Sequence, residues 1–171
     1  KNDHQELDYY AETFRKIRNK KFEFYVISRI IHRLNDPKLE FTTQQLARTN
    51  EGRFLLDLYF PQLKLAIEVD EGYHAHRVAE DEKREKAVVE VARICFKRIN
   101  ANEQQSLKDI NSQIDKVVRL ISDKKKKLRS NGQFVPFEFA KKYDTQAWLD
   151  KKRLSVSDDA RFRKHIDVAR L

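Results

Sequence analysis

The amino-acid sequence predicts an α/β fold, a mixed central sheet flanked by helices, on three observations. Two runs of apolar/polar alternation, RFLLDLYF (53–60) and LKLAIEVD (63–70), are separated by Pro61-Gln62 and read as two half-buried strands of a hairpin. Before the hairpin Phe22, Val26, Ile27, Ile30, Ile31 and Leu34 recur at helical spacing, and after it Leu107, Ile110, Ile114, Val117, Val118 and Ile121 do the same. The length, 171 residues, suits one domain of ordinary size with room for an appendage.

Each element has its own signal. Residues 1–19 are polar, with Tyr9, Tyr10 and Phe14 interspersed, and predict a short helix or an arm. The helix over 20–34 stops at Asn35-Asp36-Pro37. KLEFTTQQLAR (38–48) is β-prone around Phe41, Thr42 and Thr43, and Thr49-Asn50-Glu51-Gly52 is a turn signal. Within the hairpin Leu56, Leu58 and Phe60 form an apolar face while Asp57 points the other way. Likewise Leu65, Ile67 and Val69 oppose Ala66, Glu68 and Asp70. Gly72 lets the chain leave the sheet at a backbone angle other residues avoid. VAEDEKREKAVVEV (78–91) is rich in helix formers, with its acids early, where the helix dipole favours them. RICFKRI (93–99) predicts a buried strand in which Cys95 is a core residue rather than a nucleophile.

The helix over 105–129 ends in the basic run DKKKKLRSNG, capped by Asn131-Gly132. The composition then shifts: Phe134, Phe137, Phe139, Tyr143 and Trp148 crowd together, either to pack back on the core or to form a partner surface. That shift divides the chain into a domain over 1–132 and a C-terminal extension over 133–171. Ser157-Asp158-Asp159 reads as a helix N-cap, and Phe162, His165, Ile166 and Ala169 as a stripe cut off at Leu171.

Lys and Arg number 36 against 27 Asp and Glu, a net charge of +9 that favours polyanionic partners such as nucleic acid or an anionic membrane surface. Residues 91–171 carry 20 basic and 10 acidic side chains, whereas residues 68–90 carry 4 basic and 8 acidic. An acidic pocket beside a basic body suits a protein that grips phosphates with one surface and holds cations with another. The lone cysteine excludes an intrachain disulfide and a multi-cysteine zinc site. With no run of ~18 apolar residues and no signal-peptide pattern, the expected location is soluble and cytoplasmic. The start at Lys1 rather than Met reads as a trimmed sequence.

If the hairpin strands pair, Asp57, Glu68 and Asp70 converge on one patch, with His74 just past the strand end. Like charges a few ångströms apart raise one another's pKa unless something positive lies between them. Hard divalent cations take oxygen ligands, and Mg²⁺ in phosphate chemistry uses one or two carboxylates plus substrate oxygens. The three acids are therefore a candidate metal site. The competing reading is a solvated strand face that carries acids by chance.

Asp57, ten residues, then Glu68-Val69-Asp70 resembles the D…(D/E)-x-K core of the PD-(D/E)xK nuclease superfamily. DLYFPQLKLAIEVDEGYH followed by EDEKRE and ICFKRINANE is similar to the very-short-patch-repair (Vsr)-like branch, over roughly residues 20–122. The resemblance implies a restriction-endonuclease-like (Vsr-like) fold and metal-assisted hydrolysis of DNA phosphodiesters with Mg²⁺ or Mn²⁺. Asp57, Glu68 and Asp70 would be its catalytic and metal-binding acids. One departure stands out: the superfamily's lysine is replaced by Asp70, which passes part of the proton chemistry to His74. The resemblance also implies accessory roles for Glu23, otherwise a solvated residue at the stripe edge, and for Arg98, otherwise a surface arginine. Lys83, Arg84, Lys124, Lys125, Lys126 and Lys127 are candidate phosphate contacts, or solvated helix faces.

Within that branch the string looks most like the N-terminal nuclease domain of restriction endonucleases that cut near 5-hydroxymethylcytosine, where a modified-base-reading domain follows. The expected partner is then double-stranded DNA, modified at cytosine, cut by a homodimer in a bacterial or phage-defence setting. A Vsr-like mismatch-repair endonuclease and a non-catalytic DNA-binding module remain the alternatives.

Overall fold

A computed structural model of the chain describes residues 5–49, 52–72, 94–138 and 153–155. Its elements are helices α1 (Gln5–Arg15) and α2 (Lys21–Leu34), strands β1 (Thr42–Thr49), β2 (Gly52–Phe60), β3 (Leu65–Asp70) and β4 (Cys95–Asn100), helix α3 (Leu107–Ser130) and a short strand β5 (Arg153–Ser155). The sheet order is β4-β3-β2-β1-β5. β2 pairs antiparallel with both β1 and β3, while β4 runs parallel to β3 and β5 parallel to β1. The sheet is mixed, as the alternating and helical periods together predict. The expected helix near 79–91 lies outside the described residues.

The hairpin forms where the sequence places it. Pro61 opens a 3-10 turn over Pro61–Leu63, its fixed φ suiting a first helical position, and Lys64 closes it in the left-handed region at φ 46°. The Lys64 carbonyl then accepts from the Cys95 N–H at 2.8 Å, which starts the β3/β4 ladder. α2 ends at Asn35, also left-handed at φ 39°, a conformation that short amide side chains tolerate. At the start of α3, Ser106 Oγ accepts from the Asp109 N–H at 3.1 Å and donates to the Asp109 carboxylate at 2.6 Å, which satisfies an orphan donor of the first turn.

One face of the sheet carries the core. Leu58, Phe60, Leu65 and Ile67 meet Val26, Ile27 and Ile30 of α2 and Ile110, Ile114, Val117 and Ile121 of α3 in one buried cluster. Burying each such side chain contributes about 1.5–3 kcal/mol, so these eleven residues dominate the folding of the region. Tyr25 Oη and Arg29 Nε both donate to Asn111 Oδ1, at 3.0 and 2.8 Å, and join α2 to α3 outside that cluster.

Two expectations change. Leu56 is fully buried but lies outside the cluster that Leu58 and Phe60 join; the β1/β2 ladder is interrupted between them. β4 is less buried than its apolar letters suggest: Ile99 is buried and Cys95 and Phe96 are half-buried, but Lys97 and Arg98 are exposed. Cys95 packs against the core, in line with its expected role.

The segment after Gly132 returns to the body. Gln62 Nε2 donates to the carbonyls of Lys38, at 3.0 Å, and Val135, at 2.6 Å, while its Oε1 accepts from the Glu40 N–H at 2.8 Å. The Phe137 N–H donates to Lys38 O at 2.9 Å, and the Phe137 ring joins the core beside Tyr9. Of the two fates open to these aromatics, Phe137 takes the first.

A candidate acidic active site at the end of the central hairpin

The candidate functional residues gather where β2 and β3 part. The last ladder pair before the gap is Leu58↔Ile67, so Asp57 and Glu68 stand one step further along neighbouring strands. Asp57 Oδ2 reaches across that gap and accepts from the Val69 N–H at 2.8 Å. Glu68 and Asp70 lie two apart on β3 and so project to the same side, and Glu68 Oε1 is shielded from solvent. In register, Glu68 neighbours Arg98 and Asp70 neighbours Asn100 on β4. Asp70 Oδ1 accepts from the Gly72 N–H at 3.0 Å, which tightens the turn leaving the sheet.

That turn requires Gly72. Its φ is +79°, and a Cβ built there would sit 3.1 Å from Asn102 Nδ2. Asn102 in turn donates to Asn100 Oδ1 at 2.9 Å and accepts from the Gln104 N–H at 2.9 Å. The loop after β4 is thereby fitted against the turn after β3.

Glu23 is buried beside these acids and is not a solvated stripe-edge residue. It is only 4% exposed. Lys20 Nζ lies 2.6 Å from its Oε2, and Gln44 Nε2 lies 2.5 Å from its Oε1. The same Gln44 Nε2 is 3.1 Å from Asp57 Oδ1, so one amide bridges the helix acid and the strand acid. The Glu23 backbone N–H, an orphan donor in the first turn of α2, is satisfied at 3.3 Å by Glu71 Oε1.

The electrostatics follow from burial. The Glu23 carboxyl is pushed up to about 7, chiefly because burial disfavours its charged form and next because Asp57 lies close; Lys20 and Gln44 oppose the shift. Asp57 is also raised, again by burial first, against the Val69 N–H, Lys20 and Gln44, which favour its charge. Two neighbouring acids, one buried and one half-buried, that resist ionising together are a common mark of a functional site.

Gln44 carries a further cost. It is a non-glycine residue in mid-strand with φ +50°. Such a conformation costs on the order of 1–3 kcal/mol and persists only where the surroundings enforce it. The β1/β2 pairs run from Thr42↔Tyr59 to Thr49↔Gly52 and omit one step, Gln44 opposite Asp57.

Of the residues expected in the site, Asp57, Glu68, Asp70 and Glu23 lie at this end of the hairpin. Arg98 is exposed on β4 beside Glu68 in register. His74, Lys83 and Arg84 lie outside the described residues. No group of three or more His, Cys, Asp or Glu side chains is arranged among the described residues to hold a metal ion. The carboxylate brought to Asp57 is Glu23, from a helix, and a carboxylate pair plus substrate oxygens is a donor set that suits Mg²⁺. Among the lysines of α3, Lys126 and Lys127 are exposed and Lys124 is half-buried. Lys125 instead pairs with Asp36 and lies 5.0 Å above the Phe134 ring.

Sequence reasoning missed Lys20, Gln44, Glu71 and Asn102. The one available signal was the polar run Thr42-Thr43-Gln44-Gln45 inside a strand, all four of which are buried.

A mixed sheet with helices packed on it, and acids from strand and helix at the mouth of its central hairpin, is a restriction-endonuclease-like α/β domain. The chain belongs to the restriction endonuclease family described as PvuRts1 I-like, N-terminal, whose model matches residues 7–133. Among solved structures it is similar to the 5-hydroxymethylcytosine-specific restriction enzyme AbaSI, with 32% sequence identity and a TM-score of 0.68. That similarity covers 87% of this chain and 56% of the AbaSI chain, so the present chain spans little more than half of that relative. No match was found among curated proteins. No helix among the described residues is long and apolar enough to cross a membrane.

Proposed function

We propose that the chain is the nuclease part of a modification-dependent restriction enzyme, a metal-dependent endonuclease that hydrolyses DNA phosphodiesters near 5-hydroxymethylcytosine. The observation that carries this reading is the pairing of buried Glu23 with half-buried Asp57 through Gln44, one strand step from Glu68. Nothing in folding alone favours two raised carboxyls side by side, whereas a bound cation would stabilise both in their charged forms.

In this reading Asp57 and Glu68, with Asp70 and Glu23 beside them, hold Mg²⁺ or Mn²⁺. When bound, such an ion polarises the phosphate and lowers the pKa of water. The chain's own groups do the rest. The Val69 N–H and Gln44 fix the two oxygens of Asp57, and Glu71 anchors the first turn of α2 so that Glu23 stays in place. Lys20, half-exposed beside Glu23, supplies positive charge at the rim where a phosphate would approach. His74, four residues past Asp70, accepts or donates the proton, its ordinary pKa of about 6.5 suiting that task. Lys126 and Lys127 contact the DNA backbone. One such site cuts one strand, so double-strand cleavage calls for a homodimer. Within residues 133–171, Phe137 joins the core and Arg153–Ser155 joins the sheet, and in this reading the extension leads from there into a modified-base-recognition domain.

The test is cleavage of matched plasmids, plain and hydroxymethylated, with Mg²⁺ and with EDTA. Mg²⁺-dependent cutting that favours the hydroxymethylated plasmid is expected. Binding without cutting under any condition would replace this reading with a non-catalytic module, and cutting confined to mismatched duplexes would replace it with a repair endonuclease.

A further inference from the structure

We infer that Gln44 is a positioning residue of the nuclease site, fixing Glu23 and Asp57 relative to one another; this rests on the nuclease reading above. Three features meet at this one residue. Its backbone is left-handed at φ +50° in the middle of a strand, with no glycine to make that easy. The β1/β2 ladder skips the single step at which Gln44 faces Asp57. Its buried side chain then spans the gap that the missing pair leaves, with Nε2 2.5 Å from Glu23 Oε1 and 3.1 Å from Asp57 Oδ1.

The chemistry matches the geometry. A primary amide has two N–H donors on one nitrogen and can serve two acceptors at once. Turned the other way, its carbonyl oxygen would face two carboxylate oxygens, so the contacts fix the amide's orientation as well as its place. An ammonium or guanidinium could also bridge two acids, but it would neutralise the charge that attracts a cation. The amide fixes their geometry without adding a charge of its own. An ordinary β residue at this position would aim its side chain along the strand's regular alternation. The left-handed turn of the backbone redirects it.

The experiment uses Gln44→Gly, which relieves the backbone strain while removing the amide, and Gln44→Asn, which tolerates the left-handed backbone but is one methylene too short to span both acids. Mn²⁺ affinity by calorimetry, thermal melting, and kcat and KM for plasmid cleavage are measured for each. Gln44→Gly is expected to melt no lower than the parent chain, yet to bind Mn²⁺ at least ~10-fold more weakly. The loss should appear in kcat, with KM for DNA changed less than ~3-fold. In a double-mutant cycle with Glu23→Gln, removing Gln44 should add less than ~3-fold further loss of Mn²⁺ affinity, because both changes remove one function. Full Mn²⁺ affinity and kcat in Gln44→Gly would overturn the inference while leaving the nuclease reading intact, as would losses that multiply fully with Glu23→Gln. If Gln44→Gly proves unfolded, Gln44→Asn decides on the same readouts. A parent chain that neither binds Mn²⁺ nor cleaves DNA would overturn the nuclease reading, and this inference with it.

Discussion

Replacing Glu23 by glutamine removes a buried charge whose cost can be read from the site. The Glu23 carboxyl ordinarily titrates at 4.5 and here titrates at about 7. Below 4.5 the group is protonated in both the folded and unfolded chains, so the shift has no effect on stability. Between 4.5 and about 7 the unfolded chain has released a proton that the folded chain still holds, and stability falls as pH rises. Above about 7 the full penalty is present. At ~1.4 kcal/mol per unit the penalty amounts to about 3 kcal/mol. For a chain of this size that is on the order of 5–10 °C in melting temperature. The Lys20 contact already enters the shift, and because Lys20 is half-exposed its loss subtracts little.

Thermal melting of Glu23→Gln and its parent in EDTA, from pH 4.5 to 8.5, should therefore give curves that nearly coincide at the acid end. They should separate progressively between pH 4.5 and about 7, with the variant more stable at pH 8 by that margin. Millimolar Mg²⁺ should narrow the gap by stabilising only the parent. A separation that does not change with pH, or a variant less stable at pH 8, would refute the argument that this glutamate is held in place against its own solvation.

Other outcomes follow from the same geometry. Gly72→Ala should cost about 1–2 kcal/mol in urea unfolding, because alanine at φ +79° is strained and its methyl group presses on Asn102. Lys126→Ala with Lys127→Ala should lower the slope of log K against log salt for DNA binding by about 2. Lys125→Ala should leave that slope nearly unchanged and lower stability instead, since Lys125 is committed to Asp36. His74→Ala should reduce cleavage by ~10² or more, and His76→Ala much less; equal small losses would remove His74 from the proton step.

Periodicity made much of the fold legible. Val26, Ile27 and Ile30 and the Ile110–Ile121 stripe announce α2 and α3 because a helix that buries one face must repeat at that spacing. Pro61 between two alternating runs announces the hairpin. β4 was harder to judge: Ile94, Cys95, Phe96 and Ile99 look like a buried strand, but letters alone do not say that Lys97 and Arg98 face solvent. The candidate strand acids could be picked out because they share one face by parity. Glu23 entered only through the resemblance, because whether an acid at a helix edge is solvated depends on what the sheet places against it. Gln44 was least legible of all. Left-handed backbone is usually signalled by glycine or asparagine, and here it is enforced by tertiary contacts in a strand of ordinary composition.

The measurement that bears most directly on the central claim is plasmid cleavage by Asp57→Ala in Mg²⁺, run beside its DNA affinity. Asp57 touches Gln44, the Val69 N–H and, through Gln44, Glu23, so it is the residue on which the whole site converges. The expected result is loss of cleavage to background with DNA affinity within a few-fold of the parent. Cleavage at the parent's rate by Asp57→Ala would contradict the placement of the active site at the mouth of this hairpin.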